Sequence, residues 1–262
     1  MVNFECKESG KFYNLVDIIR LLRSGQGCPW DREQTHETIR RNFLEEAYEA
    51  VEAIDRKDPE LLCEELGDVL MQVVFHAGIE EDEGRFGIDE VCDGVCRKLI
   101  ERHPHVFGGT SVLGSEEVLE KWDAIKREHK GQTTYASAMD SVARSLPSLW
   151  RAEKVQKKAA KAGFDWPDVS GALDKLQEEL NELRDAVKEG KNTEEELGDL
   201  LFSAVNVSRF IDSDPEQALT GACEKFIGRF RYIESAAAEQ GRELGEMSLE
   251  DMDKLWNQTK QI

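Results

Sequence analysis

Proline, long apolar runs and paired cysteine motifs are all scarce in this 262-residue chain. Its 6 prolines are dispersed, which argues against a low-complexity or disordered chain. No stretch approaches the roughly 18 uninterrupted apolar residues of a membrane helix. Residues 1–12 carry Glu5, Lys7, Glu8 and Lys11 where a signal peptide needs an apolar run. The six cysteines (Cys6, Cys28, Cys63, Cys92, Cys96 and Cys223) form no Cys-x-x-Cys. Reduced thiols in a cytoplasmic protein are therefore expected. No Gly-rich phosphate loop of the G-x-x-x-x-G-K type occurs. Histidine is missing from the entire second half, since all five lie between His36 and His129. Positive charge is also in short supply. With 34 bases against 54 acids, the net charge of -20 opposes binding to nucleic acid or an anionic membrane. An anionic substrate would need cations to mediate.

What the chain does contain is a repeat. Glu45-Glu46-x-x-Glu49 returns as Glu178-Glu179-x-x-Glu182, 133 residues later. Glu64-Glu65-Leu66-Gly67-Asp68 returns as Glu195-Glu196-Leu197-Gly198-Asp199, 131 residues later. Trp30 answers Trp166, Lys98-x-x-x-Arg102 answers Lys225-x-x-x-Arg229, and Trp122-x-x-x-Lys126 answers Trp256-x-x-x-Lys260. Five landmarks in one order, at nearly one offset, indicate a duplication. The boundaries this predicts are a first domain over 1–129, a linker over 130–140 and a second domain over 141–262. The linker is placed there because the segment is polar and lacks apolar periodicity.

Both halves read as helical. Leu44, Ala47, Tyr48, Val51 and Ile54 recur at helical spacing, as do Leu176, Leu180, Leu183 and Val187. Asp58-Pro59 reads as an N-cap followed by proline at the first helical position. No alternating run indicates a strand. The expected fold is all-α, with about four helices per half packed as a small bundle.

The chemistry lies in paired carboxylates. Glu46 and Glu49 share one helix face, and Glu65 and Asp68 share another. A short turn near residues 56–58 makes the two helices antiparallel neighbours, so the pairs converge. Clustered carboxylates repel one another, and a divalent cation relieves this. All-oxygen ligands suit Mg2+ or Mn2+. A single Glu-x-x-Glu is usually a solvated face, and Thr193-x-x-Glu196 fits a capping box. Capping does not explain the first copy, where Glu65 lies well inside its helix. A chemistry common to both halves needs no imidazole, which disfavours a di-iron bundle. His103-Pro104-His105 reads as a helix end, and Glu33-Gln34-Thr35-His36 lacks a matching partner motif. The pairs Lys98/Arg102 and Lys225/Arg229 each lie one helical turn apart and could hold phosphate oxygens. Trp122 and Trp256 read equally as nucleotide-facing surfaces or as anchors for a last helix.

Taken together, these motifs resemble the MazG family of nucleoside triphosphate pyrophosphohydrolases. The Gly27-Cys28-Pro29-Trp30-Asp31 segment, Arg102-His103-Pro104-His105-Val106-Phe107 and the duplication itself are similar to the full-length bacterial form. The resemblance implies tandem all-α domains and a homodimer. It also implies Mg2+-dependent hydrolysis of nucleoside triphosphates to monophosphate and pyrophosphate. It assigns metal binding to Glu179, Glu182, Glu196 and Asp199, and nucleotide contacts to Lys225, Arg229, Trp256 and Lys260. The first-half equivalents are Glu46, Glu49, Glu65, Asp68, Lys98, Arg102, Trp122 and Lys126. Glu179 and Glu182 are the candidates for orienting the attacking water. In some members only the C-terminal half is competent, so that half is the expected catalytic unit. Phe164-Asp165-Trp166 departs from the Cys28-Pro29-Trp30-Asp31 loop. Two other readings stay open: a related all-α phosphohydrolase (dUTPase-like or phosphoribosyl-ATP pyrophosphohydrolase), or a non-catalytic acidic interaction protein.

Overall fold

The computed structural model of this protein describes residues 11–109, 114, 118, 122 and 134–259. Every regular element among the described residues is helical. The chain divides into two compact units, Met1–Ile125 and Lys126–Ile262. No helix among the described residues is long and apolar enough to cross a membrane.

The first unit contains α1 (Lys11–Arg23), α2 (Pro29–Glu33), α3 (His36–Arg56), α4 (Pro59–Asp82), α5 (Ile88–Arg102) and α6 (Pro104–Phe107). Local chemistry sets the turn that matters for the site. Lys57 ends α3 in the left-handed region at φ 55°, and the Asp58 carboxylate accepts from the Glu60 and Leu61 N–H groups to start α4. Such a cap stabilises a helix by about 1 kcal/mol. With two residues between them, α3 and α4 lie side by side along their length. α1 and α5 pack on α4. Val16, Ile19, Ile39, Val74, Phe75 and Ile79 form the buried core between these helices.

The second unit contains α7 (Tyr135–Asp140), α8 (Ser148–Ala160), α9 (Val169–Glu189), α10 (Thr193–Phe210), α11 (Pro215–Glu239) and α12 (Leu249–Gln258). Gly190 closes α9 at φ 68°, a conformation that suits glycine, and α10 runs back along α9. α11 packs chiefly on α8 and α12, around Ile233, Ala237, Met247 and Leu255. The Trp150 indole N–H donates to the Asp214 carboxylate at 3.0 Å, tying α8 to the start of α11.

Two local readings need correction. The segment expected as a linker contains α7, because Thr134 and Ser137 form a reciprocal cap that starts a helix there. Glu196 does not belong to a capping box with Thr193. Asn192 is the N-cap of α10, without a side-chain bond, and Glu196 sits one turn inside.

Candidate active site

The α3–α4 and α9–α10 pairs each gather carboxylates as the spacing requires. In the first unit, oxygens of Glu46, Glu49 and Glu65 all lie within 4.8 Å of one another. In the second, oxygens of Glu179, Glu196 and Asp199 do the same. Asp68 and Glu182 stand beside these triads, not in them. Lost hydration, then the charges of Asp68, Glu49 and Glu65, raise the Glu46 carboxyl above its ordinary pKa. Lost hydration, with Glu49 and Asp68, raises Glu65 in the same way. Lost hydration and the neighbouring Glu179 raise Glu182. Groups that resist ionisation together are groups that a cation would relieve.

The two triads differ in their surroundings. Glu179 is 5% exposed, and its Oε2 is buried without a hydrogen-bond partner. A buried, unpartnered carboxylate oxygen among oxygen ligands fits a hard divalent cation. Its Oε1 takes an ion pair at 2.7 Å from Lys175, which also reaches Glu178 at 2.9 Å. Glu179, then Glu178, hold the Lys175 ammonium above the ordinary lysine range. At the 133-residue offset the first unit has Asn42 in place of Lys175.

Glu179 and Asp199 open onto a cavity of 410 Å³ between α8, α9, α10 and the loop carrying Phe164, Asp165 and Trp166. Its walls include Gln156, Phe202, Asn206 and Arg209. Arg209 pairs with Asp165 at 2.6 Å and so fastens the loop to α10. Trp166 lies against Gly171, where a Cβ would come within 2.6 Å of the ring. In the first unit the corresponding positions are packed by other side chains. The 131-residue offset sets Phe75 opposite Asn206 and Gly78 opposite Arg209. Phe75 is 7% exposed, the Arg23 guanidinium lies 5.1 Å over its ring, and Arg23 Cδ would be 3.5 Å from a Cβ on Gly78.

The basic and aromatic landmarks lie elsewhere. Arg102 stacks on Trp122 and Arg229 on Trp256, each at 5.2 Å. Trp256 packs on the α11–α12 core, as an anchoring tryptophan does. Lys98 and Lys225 are exposed on their helices. None of Lys225, Arg229 and Trp256 lines the cavity. Lys126 and Lys260 lie outside the described residues. His103 ends α5, its Nδ1 2.6 Å from the Leu99 carbonyl oxygen. His36 does find partners: its ring stacks on His76 at 5.0 Å, and its Nε2 lies 2.6 Å from Glu80.

Lys175, Gln156, Asn206 and Arg209 were not singled out by the sequence. The signals available for them were the altered loop at Phe164-Asp165-Trp166 and the Asn42 that stands opposite Lys175.

The description "MazG nucleotide pyrophosphohydrolase domain" matches residues 34–107 and 169–233, one segment around each triad. A "Nucleoside triphosphate pyrophosphohydrolase" of Escherichia coli K12 is 45% identical over 251 residues, 94% of this chain and 95% of its own length. A "Nucleoside triphosphate pyrophosphohydrolase/pyrophosphatase MazG" of Thermotoga maritima is 44% identical over 97% of this chain and 98% of its own. A Bacillus subtilis protein named only as uncharacterized is 50% identical over 96% of this chain, which spans 52% of that protein.

Proposed function

The chain belongs to the MazG family of nucleotide pyrophosphohydrolases, and from that premise we propose that it hydrolyses nucleoside triphosphates to monophosphate and pyrophosphate in its C-terminal half. One observation carries the choice of half. Glu179 and Asp199 of the triad open onto a cavity, whereas in the first unit Phe75 and Arg23 pack together at the positions that correspond to Asn206 and Arg209.

Glu179, Glu196 and Asp199 are the residues that would hold Mg2+ or Mn2+, and in the first unit Glu46, Glu49 and Glu65 form the corresponding cluster, with Glu49 standing in the place of Glu182 and Asp68 in that of Asp199. Bound there, the metal would neutralise the triphosphate and polarise its α-phosphate. Glu182, beside the triad and exposed, is left to orient the attacking water and take its proton. The water oxygen bonds to the α-phosphorus, the bond to the bridging oxygen breaks, and pyrophosphate leaves.

A homodimer in the cytoplasm completes the reading. Leu173, Leu197 and Leu201 on α9 and α10, and Leu219, Phe226 and Phe230 on α11, are exposed apolar residues on three helices. Apolar surface left in this quantity marks an interaction face. A second copy covers it and offers Lys225 and Arg229 to the triphosphate at the facing site.

Hydrolysis in ¹⁸O-labelled water tests the reaction. Label in the monophosphate alone supports attack at the α-phosphorus. Label in pyrophosphate, or release of orthophosphate, contradicts it.

A further inference from the structure

Among the described residues, three buried side-chain polar atoms lack a hydrogen-bond partner: Gln156 Oε1, Arg209 Nε and Glu179 Oε2. All three residues line the same cavity. A folded chain leaves few such atoms unpaired, because each carries its full desolvation cost. Three on the wall of one cavity describe a ligand that is polar at both ends.

The carboxylate end belongs to the site already described. The other end has its own chemistry. Gln156 is 4% exposed, and its Nε2 donates to the Phe202 carbonyl at 2.8 Å. That bond fixes the amide orientation and leaves Oε1 as an acceptor that requires a donor. Arg209 spends its terminal nitrogens on Asp165 and Asn206, which leaves Nε as a donor that requires an acceptor. Trp166, Phe202, Val155 and Ala159 supply apolar wall to the same cavity. The complement is a flat apolar ring carrying one N–H donor and one acceptor on its edge. A nucleobase offers that pattern on its pairing edge. Gln156 also lies outside both segments matched to the family, so it can differ without disturbing the shared motifs.

We propose that Gln156 is the base-reading residue of the C-terminal site, with its Oε1 accepting an N–H from the pairing edge of the base and Arg209 Nε donating beside it. The inference rests on the triphosphate reading above and deepens it. Arg209 also fastens the loop, so Gln156 is the cleaner residue to change.

The test compares the best-hydrolysed of ATP, GTP and ITP with purine riboside triphosphate, which has no N–H on its pairing edge. Loss of a buried hydrogen bond predicts kcat/KM lower by roughly 5- to 150-fold for purine riboside triphosphate in the wild type. In Gln156→Leu the good substrate should fall to meet it, closing the gap to about threefold or less, the residue left by one remaining donor. Gln156→Met, with a flexible side chain of similar length, serves as the second variant if Gln156→Leu unfolds early. Calorimetry with the corresponding monophosphates repeats the comparison without turnover. No gap in the wild type, or an equal gap in wild type and variant, overturns the proposal. Discrimination among monophosphates without any triphosphate hydrolysis would sustain base reading and refute the activity instead.

Discussion

Replacing Lys175 with methionine should tighten metal binding at the C-terminal site. The ammonium sits 2.7 Å from Glu179 Oε1, on the same carboxylate whose Oε2 is left for the metal. A divalent ion must therefore displace it or tolerate it nearby. Displacement costs the ion pair. The Lys175 side chain is 36% exposed, so that pair contributes up to about 1 kcal/mol, with the buried Glu179 favouring the upper end. Tolerance costs repulsion: a double charge about 5 Å from a single one, fully screened by water, loses about 1.7 kcal/mol. Either route predicts binding tighter by about 1–2 kcal/mol in Lys175→Met, or roughly 5- to 30-fold in Kd. Calorimetric titration with Mn2+, in the absence of nucleotide, measures this. Glu46→Gln and Glu49→Gln should be present in both proteins to silence the first triad. The metal-free melting temperature should fall, since Glu179 keeps its burial and loses its counter-charge. Unchanged or weaker Mn2+ binding would refute the reasoning, and would make Lys175 an organiser of the carboxylates.

Three further outcomes follow from particular contacts. Gly171→Ala gains about 1 kcal/mol of helix propensity but drives a Cβ to 2.6 Å from the Trp166 ring, an overpacking cost of about 1–3 kcal/mol; the melting temperature and activity should both drop, with a shift in tryptophan emission, and an unchanged spectrum would contradict it. Glu46, Glu65 and Glu182 hold protons more tightly folded than unfolded, so in EDTA their contribution to stability falls as pH rises above the ordinary glutamate range. Mg2+ binds the ionised form, so the melting-temperature gain it gives should be near zero around pH 4 and grow with pH; a gain independent of pH, or matched by NaCl, counts against the metal sites. Mixing inactive Glu179→Gln with inactive Arg229→Ala should restore activity through mixed dimers, because each contributes what the other lacks; no recovery after confirmed subunit exchange would show that each site is built within one chain.

What the sequence made legible is what depends on short range. The Asp58-Pro59 cap, the turn after Arg56 and the carboxylate faces each follow from residues within two helical turns, and the structure places them accordingly. Competing local signals were harder to rank. Thr193 offered a capping box, yet Asn192 took the N-cap position with a φ of 54°. Thr134 and Ser137 carried a helix start inside a segment that looked featureless. The cavity was out of reach for a different reason. Gln156 meets Phe202, and Arg209 meets Asp165, across 46 and 44 residues, and nothing in the spacing of a glutamine or an arginine reports such a contact. Lys175 was hidden by ordinariness, since a lysine four residues before a glutamate on a helix is commonly a surface pair.

The central claim is that one half of a duplicated chain does the chemistry. Glu179→Gln and Glu46→Gln are the matched substitutions, each removing one charge from the same position of the repeat. Their rates of monophosphate and pyrophosphate formation, followed by chromatography with Mg2+ and a panel of nucleoside triphosphates, test it most directly. Loss of a charged metal ligand at the working site predicts at least a roughly 100-fold fall in kcat/KM for Glu179→Gln, about 2.7 kcal/mol, with Glu46→Gln within about threefold of wild type. Full activity in Glu179→Gln, or an equal loss in both variants, would contradict the account.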